Sequence, residues 1–264
     1  MYSFEPALSE IIMFLILGMC FGSLNSLLIY RLPRTMPIGR TRSRCPSCHH
    51  ALGVRDLIPL VSWLLHRGSC RYCGVRISWR YPLLECSMGL VFYGVYSMYG
   101  MTWMAVCIAV FLSQLMALCI IDYQHRIIPD QLQISLAMTA LIYHLLKGTH
   151  IAEPLAGMIV GLGIGLALHH GFRILRNKEG LGFGDVKFIT VSGMWLGTLP
   201  LVPYFFYAGC LGIISALLWR LVNPDPRFPF GPALAMSLAL LVVHPPSSLW
   251  LEDAILFIVM RQSH

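Results

Sequence analysis

Two aspartates at the ends of separate apolar segments could form an acid/base pair. Asp122 ends one apolar run, and Asp185 opens a later one directly after the glycines at 180, 182 and 184. Two carboxyl groups a few ångströms apart cannot easily both ionise, so one of them retains a proton. The ionised carboxylate can then take a proton from water while the protonated one donates to a carbonyl oxygen. This chemistry is suited to hydrolysis.

The residue pattern alone leaves other interpretations of the two aspartates open. They could cap their helices or pair with Arg126 and Lys187, and a proton relay in a transporter is a third possibility. Gly182 and Gly184 have no side chain, and would let Asp185 and an extended peptide approach each other closely.

Two more carboxylates lie beside apolar segments. Asp130 follows Pro129 and precedes an apolar run, and we predict that it is an N-cap residue. Glu85 lies near the start of another run. It either pairs with the arginine-rich segment before it or has a functional role.

Four cysteines follow the pattern C-x2-C-x21-C-x2-C, which is typical of a metal site. Each Cys-x-x-Cys pair aims two thiolates at one point, and two pairs complete a tetrahedral zinc site. Two disulfides are the alternative, but the arginines around the cysteines place them in the reducing cytoplasm, where disulfides rarely persist. Because four thiolates leave no open coordination position, the predicted zinc is structural. The ligands would be Cys45, Cys48, Cys70 and Cys73.

The elements that must position these groups are membrane helices. Of the 264 residues, 57% are hydrophobic and 12% are charged, whereas soluble domains have about 45–50% and 25%. A soluble enzyme, a disordered chain and a coiled coil are excluded. We predict an all-α polytopic membrane protein with about eight transmembrane helices, because a span needs about 20 apolar residues. The apolar runs are 11–30, 82–99, 102–121, 131–146, 153–172, 186–200, 202–222 and 231–246.

The net charge of +7 is distributed as in a membrane protein and predicts no nucleic-acid partner. Ten of the 19 Lys and Arg residues fall between positions 31 and 80, and such an excess marks a cytoplasmic loop. This bias places both aspartates at the cytoplasmic membrane edge. We predict a first transmembrane helix at 1–30, a zinc-binding cytoplasmic domain at 31–81 and a transmembrane core at 82–264. A further apolar run at 249–260 is left unassigned.

The motifs, taken in order, resemble those of one family, the bacterial type IV prepilin peptidases (leader peptidase/N-methyltransferases). The resemblance covers almost the whole chain. Besides the two cysteine pairs, it rests on the segments Gly22–Pro33, Ile58–Trp63, Arg80–Glu85, Asp122–Asp130, Gly182–Lys187 and Pro229–Pro232.

The resemblance implies a GxGD-type membrane aspartyl protease of the bacterial cytoplasmic (inner) membrane, with Asp122 and Asp185 as the catalytic pair. Such enzymes remove the basic leader from type IV prepilins and type II secretion pseudopilins, after a glycine, at the cytoplasmic face. Many then methylate the new N-terminal residue with S-adenosylmethionine. We expect support of the substrate or of the site backbone from Gly182, Gly184, Lys187 and Glu85.

Two other functions would also use acidic residues in a membrane protein. A proton-coupled transporter with a zinc-stabilised cytoplasmic loop would carry acidic groups and broken helices near the bilayer midplane. Both aspartates instead lie at the predicted membrane edge. A transferase acting on a lipid-linked phosphate would use aspartates to hold Mg²⁺.

Overall fold

The computed structural model describes residues 7–39, 42–176, 181–222 and 228–244. Within these ranges the chain forms nine α-helices and two isolated β-bridges but no strand, which confirms the all-α prediction. Each of the eight predicted apolar runs coincides with a helix, and the ninth helix, α2, is one short turn. The run at 249–260 lies outside the described residues. The helices are α1 (Leu8–Arg31), α2 (Val61–Leu65), α3 (Arg80–Tyr99), α4 (Trp103–His125), α5 (Asp130–Lys147), α6 (Ala152–Arg176), α7 (Phe183–Leu196), α8 (Leu201–Val222) and α9 (Gly231–Val243).

Four helical segments in the described part of the chain are long and apolar enough to cross a membrane. The helix α9 is also apolar but has only 13 residues. The four segments are Leu8–Arg34, Trp103–His125, Ala152–Ile174 and Leu201–Val222.

Contacts at both ends show that α5 and α7 run in the same direction. At their first turns, Lys187 Nζ lies 2.7 Å from Asp130 Oδ1. At their last turns, a ring nitrogen of His144 lies 2.9 Å from the carbonyl oxygen of Met194. The end of α4 lies at the same edge as the starts of α5 and α7, because only four residues separate α4 from α5.

Glycines at every fourth position let α6 pack closely against α7. A Cβ atom added at Gly157 would overlap the carbonyl oxygen of Gly193, and one added at Gly161 would lie 2.8 Å from that of Ile189. One added at Gly165 would lie 3.1 Å from a methyl carbon of Val186. Small residues at this spacing allow membrane helices to approach at backbone distance. The packing fixes α7, and therefore Asp185 at its start.

We expect Gly157→Ala to destabilise the helix assembly, because the new methyl group must push α6 and α7 apart. Overpacking of this kind costs about 1–3 kcal/mol. The matched control is Gly163→Ala in the same helix, where an added Cβ has no neighbour within 4 Å. Thermal unfolding in detergent should give a lower midpoint for Gly157→Ala than for the control. Equal midpoints would contradict the close packing.

The prediction that Asp130 is an N-cap residue is wrong. Pro129 occupies the N-cap position with extended geometry (φ −63°, ψ 133°), and Asp130 is the first residue of α5. Its carboxylate pairs with Lys187 instead, and a negative charge in the first turn also interacts favourably with the helix dipole.

Candidate functional site

Asp122 lies in the last turn of α4, and its side chain is held by the start of another helix. The residue is only 5% exposed. The backbone N–H of Gly231 donates to Asp122 Oδ2 at 2.9 Å. Gly231 is the first residue of α9, where backbone N–H groups lack helical partners, and a carboxylate suits that position because it complements the helix dipole. The carboxylate therefore has a fixed orientation at the junction of α4 and α9.

Asp185 lies in the first turn of α7 and forms a reciprocal cap with Gly182. Its Oδ2 accepts a hydrogen bond of 3.2 Å from the N–H of Gly182, and its own N–H donates to the Gly182 carbonyl oxygen at 3.0 Å. The capping interpretation of Asp185 is thus correct as far as its own helix is concerned. The same bonds fix the carboxyl group relative to the glycine segment that precedes α7.

The start of α7 packs against the segment that follows Asp122. A Cβ atom added at Gly184 would lie 3.5 Å from Ile128 Cβ, so the glycine backbone rests on that loop. The Asp122 and Asp185 carboxyl groups are close enough to interact electrostatically. Two carboxyl groups from separate helices, each oriented by a backbone N–H, therefore lie at one edge of the helix assembly.

Lys187 does not pair with Asp185, because residues two positions apart in a helix point in different directions. Its ammonium group binds Asp130 instead, and the two side chains are 42% and 61% exposed. An ion pair this exposed contributes little stability, about 0–1 kcal/mol. It links the starts of α5 and α7 beside the aspartates.

Glu85 binds the cysteine segment, but through the backbone and not through an arginine. The residue is buried in the second turn of α3, and its Oε2 accepts the N–H of Leu60 at 2.8 Å. Leu60 has φ 58° and ψ −48°, and the N–H of Val61 donates to the Pro59 carbonyl oxygen at 2.6 Å. This is a γ-turn with a positive φ at its centre, a strained conformation. Glu85 therefore anchors a strained turn and does not pair with an arginine of that segment, and its predicted functional role stays a prediction.

The four cysteine sulfurs form one cluster. They all lie within 4.8 Å of one another, and Cys45 Sγ is 3.8 Å from Cys73 Sγ. A sulfur–sulfur bond requires about 2.05 Å, whereas ligands about 2.3 Å from a tetrahedral zinc ion stand about 3.8 Å apart. The geometry therefore fits a bound metal ion.

The two cysteine pairs lie in matching turns. The N–H of His49 donates to the Cys45 carbonyl oxygen and that of Gly74 to the Cys70 carbonyl oxygen, both at 2.9 Å. His49 and Gly74, each directly after a pair, both have positive φ, 56° and 70°. Each turn aims its two sulfurs at the same point, as the Cys-x-x-Cys spacing predicts.

The sulfurs ionise unequally. Backbone N–H groups of Cys48 and Ser47 lower the pKa of Cys45 to about 6. The N–H of Val75 lowers the pKa of Cys73. Burial and hydrogen bonds to the neighbouring sulfurs outweigh this effect and raise the pKa of Cys73 to about 12. Four neighbouring thiolates would repel one another, and a bound cation would balance their charge.

Gly231 is the site residue that sequence reasoning missed. It lies within the segment Pro229–Pro232 that resembles the family, but the sequence pattern predicts no role for it. The available signal was a glycine and a proline directly before an apolar run, which indicates a helix start with a free N–H. Nothing in the sequence indicated that Asp122 would accept that N–H.

Comparison with known proteins identifies the family of this chain. Residues 16–99 match the family model of the bacterial peptidase A24 N-terminal domain, and residues 109–217 match that of the type IV leader peptidase family. No solved structure is significantly similar to the chain.

Three curated relatives carry the name prepilin leader peptidase/N-methyltransferase. The protein of Dickeya chrysanthemi is 32% identical, with 84% of this chain and 88% of the relative covered. That of Neisseria gonorrhoeae is 31% identical, with 84% and 86% covered, and that of Myxococcus xanthus is 34% identical, with 89% and 73% covered. The predicted resemblance is confirmed: this chain belongs to the type IV leader peptidase family.

Proposed function

We propose that this protein removes the leader peptide from type IV prepilins and type II secretion pseudopilins by aspartyl proteolysis. The proposal is supported by the location of Asp122 and Asp185 at one edge of a membrane-helix assembly, within electrostatic range of each other, in a chain of the type IV leader peptidase family. The names of the curated relatives agree with this activity and add N-methylation.

The proposed reaction uses the two carboxyl groups as one acid/base unit. The ionised aspartate takes a proton from a water molecule, which attacks the scissile carbonyl carbon, while the protonated aspartate donates its proton to the carbonyl oxygen. Collapse of the tetrahedral intermediate breaks the C–N bond, and a proton passes to the leaving amine. The products are a leader with a new carboxylate and a pilin with a new amino terminus.

Neighbouring residues hold this unit in place. Gly231 orients Asp122, and Gly182 orients Asp185 through the cap at the start of α7. Gly184 lets the backbone lie against Ile128. Lys187 ties α7 to α5, and Glu85 holds the cysteine segment against α3.

The proposed topology has eight spans, with 1–30 as the first helix, 31–81 as a cytoplasmic domain and 82–264 as the proteolytic core. The ten basic residues between positions 31 and 80 favour the cytoplasm for that segment. Because the starts of α5 and α7 share an edge with the end of α4, the aspartates face the same side. A basic leader stays in the cytoplasm, so this side is the one the substrate requires.

We assign zinc to the cysteine cluster as a structural ion. Cys45, Cys48, Cys70 and Cys73 would hold it, and a bound zinc ion would cross-link the two cysteine turns. The four sulfurs fill a tetrahedral shell, so the ion has no position left for substrate.

We expect Cys45→Ser to lose bound zinc and to lower the amount of folded protein, because metal binding is coupled to the folding of such a cluster. The matched control is Cys210→Ser, which removes an exposed thiol in α8. Metal analysis of the purified proteins should give one zinc per chain for the control and much less for Cys45→Ser. Zinc-free wild-type protein would contradict the assignment.

The function is tested with purified protein and a precursor pilin in detergent. We expect cleavage to continue after EDTA has removed Mg²⁺ under conditions that leave the zinc content unchanged. A transferase that holds Mg²⁺ on its aspartates would lose its activity when EDTA removes the ion. With S-adenosylmethionine present, the mature pilin should gain one methyl group, and without it the cleaved pilin should remain unmethylated. Failure to cleave any of several precursors would contradict the proposal.

A further inference from the structure

Large apolar side chains are exposed on one face of α2 and directly before it. Val61, Leu64 and Leu65, at i, i+3 and i+4, are 47%, 65% and 74% exposed, and Ile58 is 43% exposed. Scattered exposed apolar residues are ordinary, but a contiguous patch with a polar rim marks an interaction surface. We call these four residues the α2 patch.

The α2 patch is fixed to the start of α3 by three contacts. Leu60, directly before α2, donates its N–H to Glu85. The ring of Trp63 packs on Trp79, with centroids 4.2 Å apart, and its indole N–H donates to the carbonyl oxygen of Ile77 at 3.4 Å. The patch therefore has a defined height relative to the membrane helices.

That height can be measured along α1. A Cβ atom added at Gly22 would lie 2.6 Å from Glu85 Cα, so Glu85 is level with Gly22. Gly22 lies nine residues before the end of α1, which is about 14 Å along the helix axis. The apolar segment Leu8–Arg34 is about 40 Å long, whereas the hydrocarbon core of a bilayer is about 30 Å thick. In the proposed topology, Glu85 therefore lies below the cytoplasmic membrane surface. Leu60, whose N–H Glu85 accepts, lies close to the same depth.

Basic residues and Trp79 flank the α2 patch in the sequence. Arg67 and Arg71 follow α2, Arg80 begins α3, and all three are exposed. Between residues 57 and 84 the sequence contains no Asp or Glu. Arginines at the membrane surface attract anionic lipid headgroups, and tryptophan is enriched at the same level.

We propose that the α2 patch inserts into the cytoplasmic leaflet of the membrane, with the neighbouring arginines on anionic headgroups. The occupant is lipid and not a second protein, because the contacts to Glu85 and Trp79 hold the patch at the level of the bilayer. The cysteine domain thus lies on the membrane surface in one orientation. This inference goes beyond the proposed peptidase activity and does not depend on it.

The test places a fluorescent amino acid at position 65 or, in a matched control, at Ala51, an exposed residue of the cysteine domain. Each full-length protein is reconstituted in nanodiscs of phosphatidylcholine and phosphatidylglycerol at one chain per disc. Because inserted side chains lie about 5–10 Å below the headgroups, nitroxide-labelled acyl chains should quench position 65 more strongly than position 51. Aqueous iodide should show the reverse order, with quenching at position 65 lower by about threefold or more.

Equal iodide quenching at positions 65 and 51 would overturn the proposal. Protection at position 65 that appears only when discs hold two chains, or only after a precursor pilin is added, would also overturn it and assign the patch to a protein partner. A probe at position 64 repeats the test if the variant at 65 does not fold. Both leucines are exposed, so neither replacement disturbs the core.

Discussion

Replacing Asp122 or Asp185 by Asn is expected to lower the rate of leader cleavage by about 10²–10⁴-fold, the usual contribution of acid/base catalysis. Asn is nearly the same size as Asp, and its side-chain oxygen can still accept the N–H of Gly231 or Gly182. The fold should therefore persist while the proton-transfer step is lost. Because the two groups act as one unit, the double variant should be little slower than either single variant.

The matched control for these variants is Glu153→Gln. Glu153 is an exposed carboxylate in the first turn of α6, at the edge opposite the aspartate pair, because α6 and α7 run antiparallel. Its loss should leave the cleavage rate unchanged. Single-turnover cleavage of a precursor pilin gives the rates, and substantial cleavage by either Asn variant would refute the mechanism.

Gly231→Ala should lower activity by about 10²-fold, the effect of misplacing a catalytic group by about 1 Å. The added Cβ would lie 2.6 Å from Asp122 Oδ2 and 2.8 Å from its Cγ. The backbone of α9 is fixed by packing, so the Asp122 side chain must rotate away. Because a side chain moves and not a helix, the thermal stability should change little.

Gly209→Ala is the control for Gly231→Ala. Gly209 lies in α8, and an added Cβ there has no neighbour within 4 Å. We expect wild-type rates for this control. If Gly231→Ala also cleaves at the wild-type rate, the N–H of Gly231 does not position Asp122. If Gly231→Ala lowers both the cleavage rate and the thermal stability, its effect is structural.

The helices and the cysteine cluster were predictable because their signals are local. Apolar runs of sufficient length have few alternatives to a helix in a membrane, and the Cys-x-x-Cys spacing brings the two thiolates of each pair together within one turn. Asp122 and Asp185 could be singled out because few acidic residues border apolar runs. Their expected location at one edge followed from the charge bias.

The partners of these residues were not predictable, because they depend on contacts between distant segments. Asp122 accepts an N–H from a residue 109 positions away, and Glu85 accepts one from a strained turn 25 positions before it. The position of Asp130 after a proline and before an apolar run predicts an N-cap residue, but helix packing places its carboxylate against Lys187. Local patterns indicate which residues carry chemistry, whereas helix packing decides which groups orient them.

The most direct test of the central claim is the intact mass of a precursor pilin co-expressed with this protein. Wild type is compared with Asp185→Asn at equal abundance. The account predicts that the pilin loses its leader with wild type and keeps it with the variant. A pilin that loses its leader with both proteins would contradict the claim that Asp122 and Asp185 cleave the substrate together.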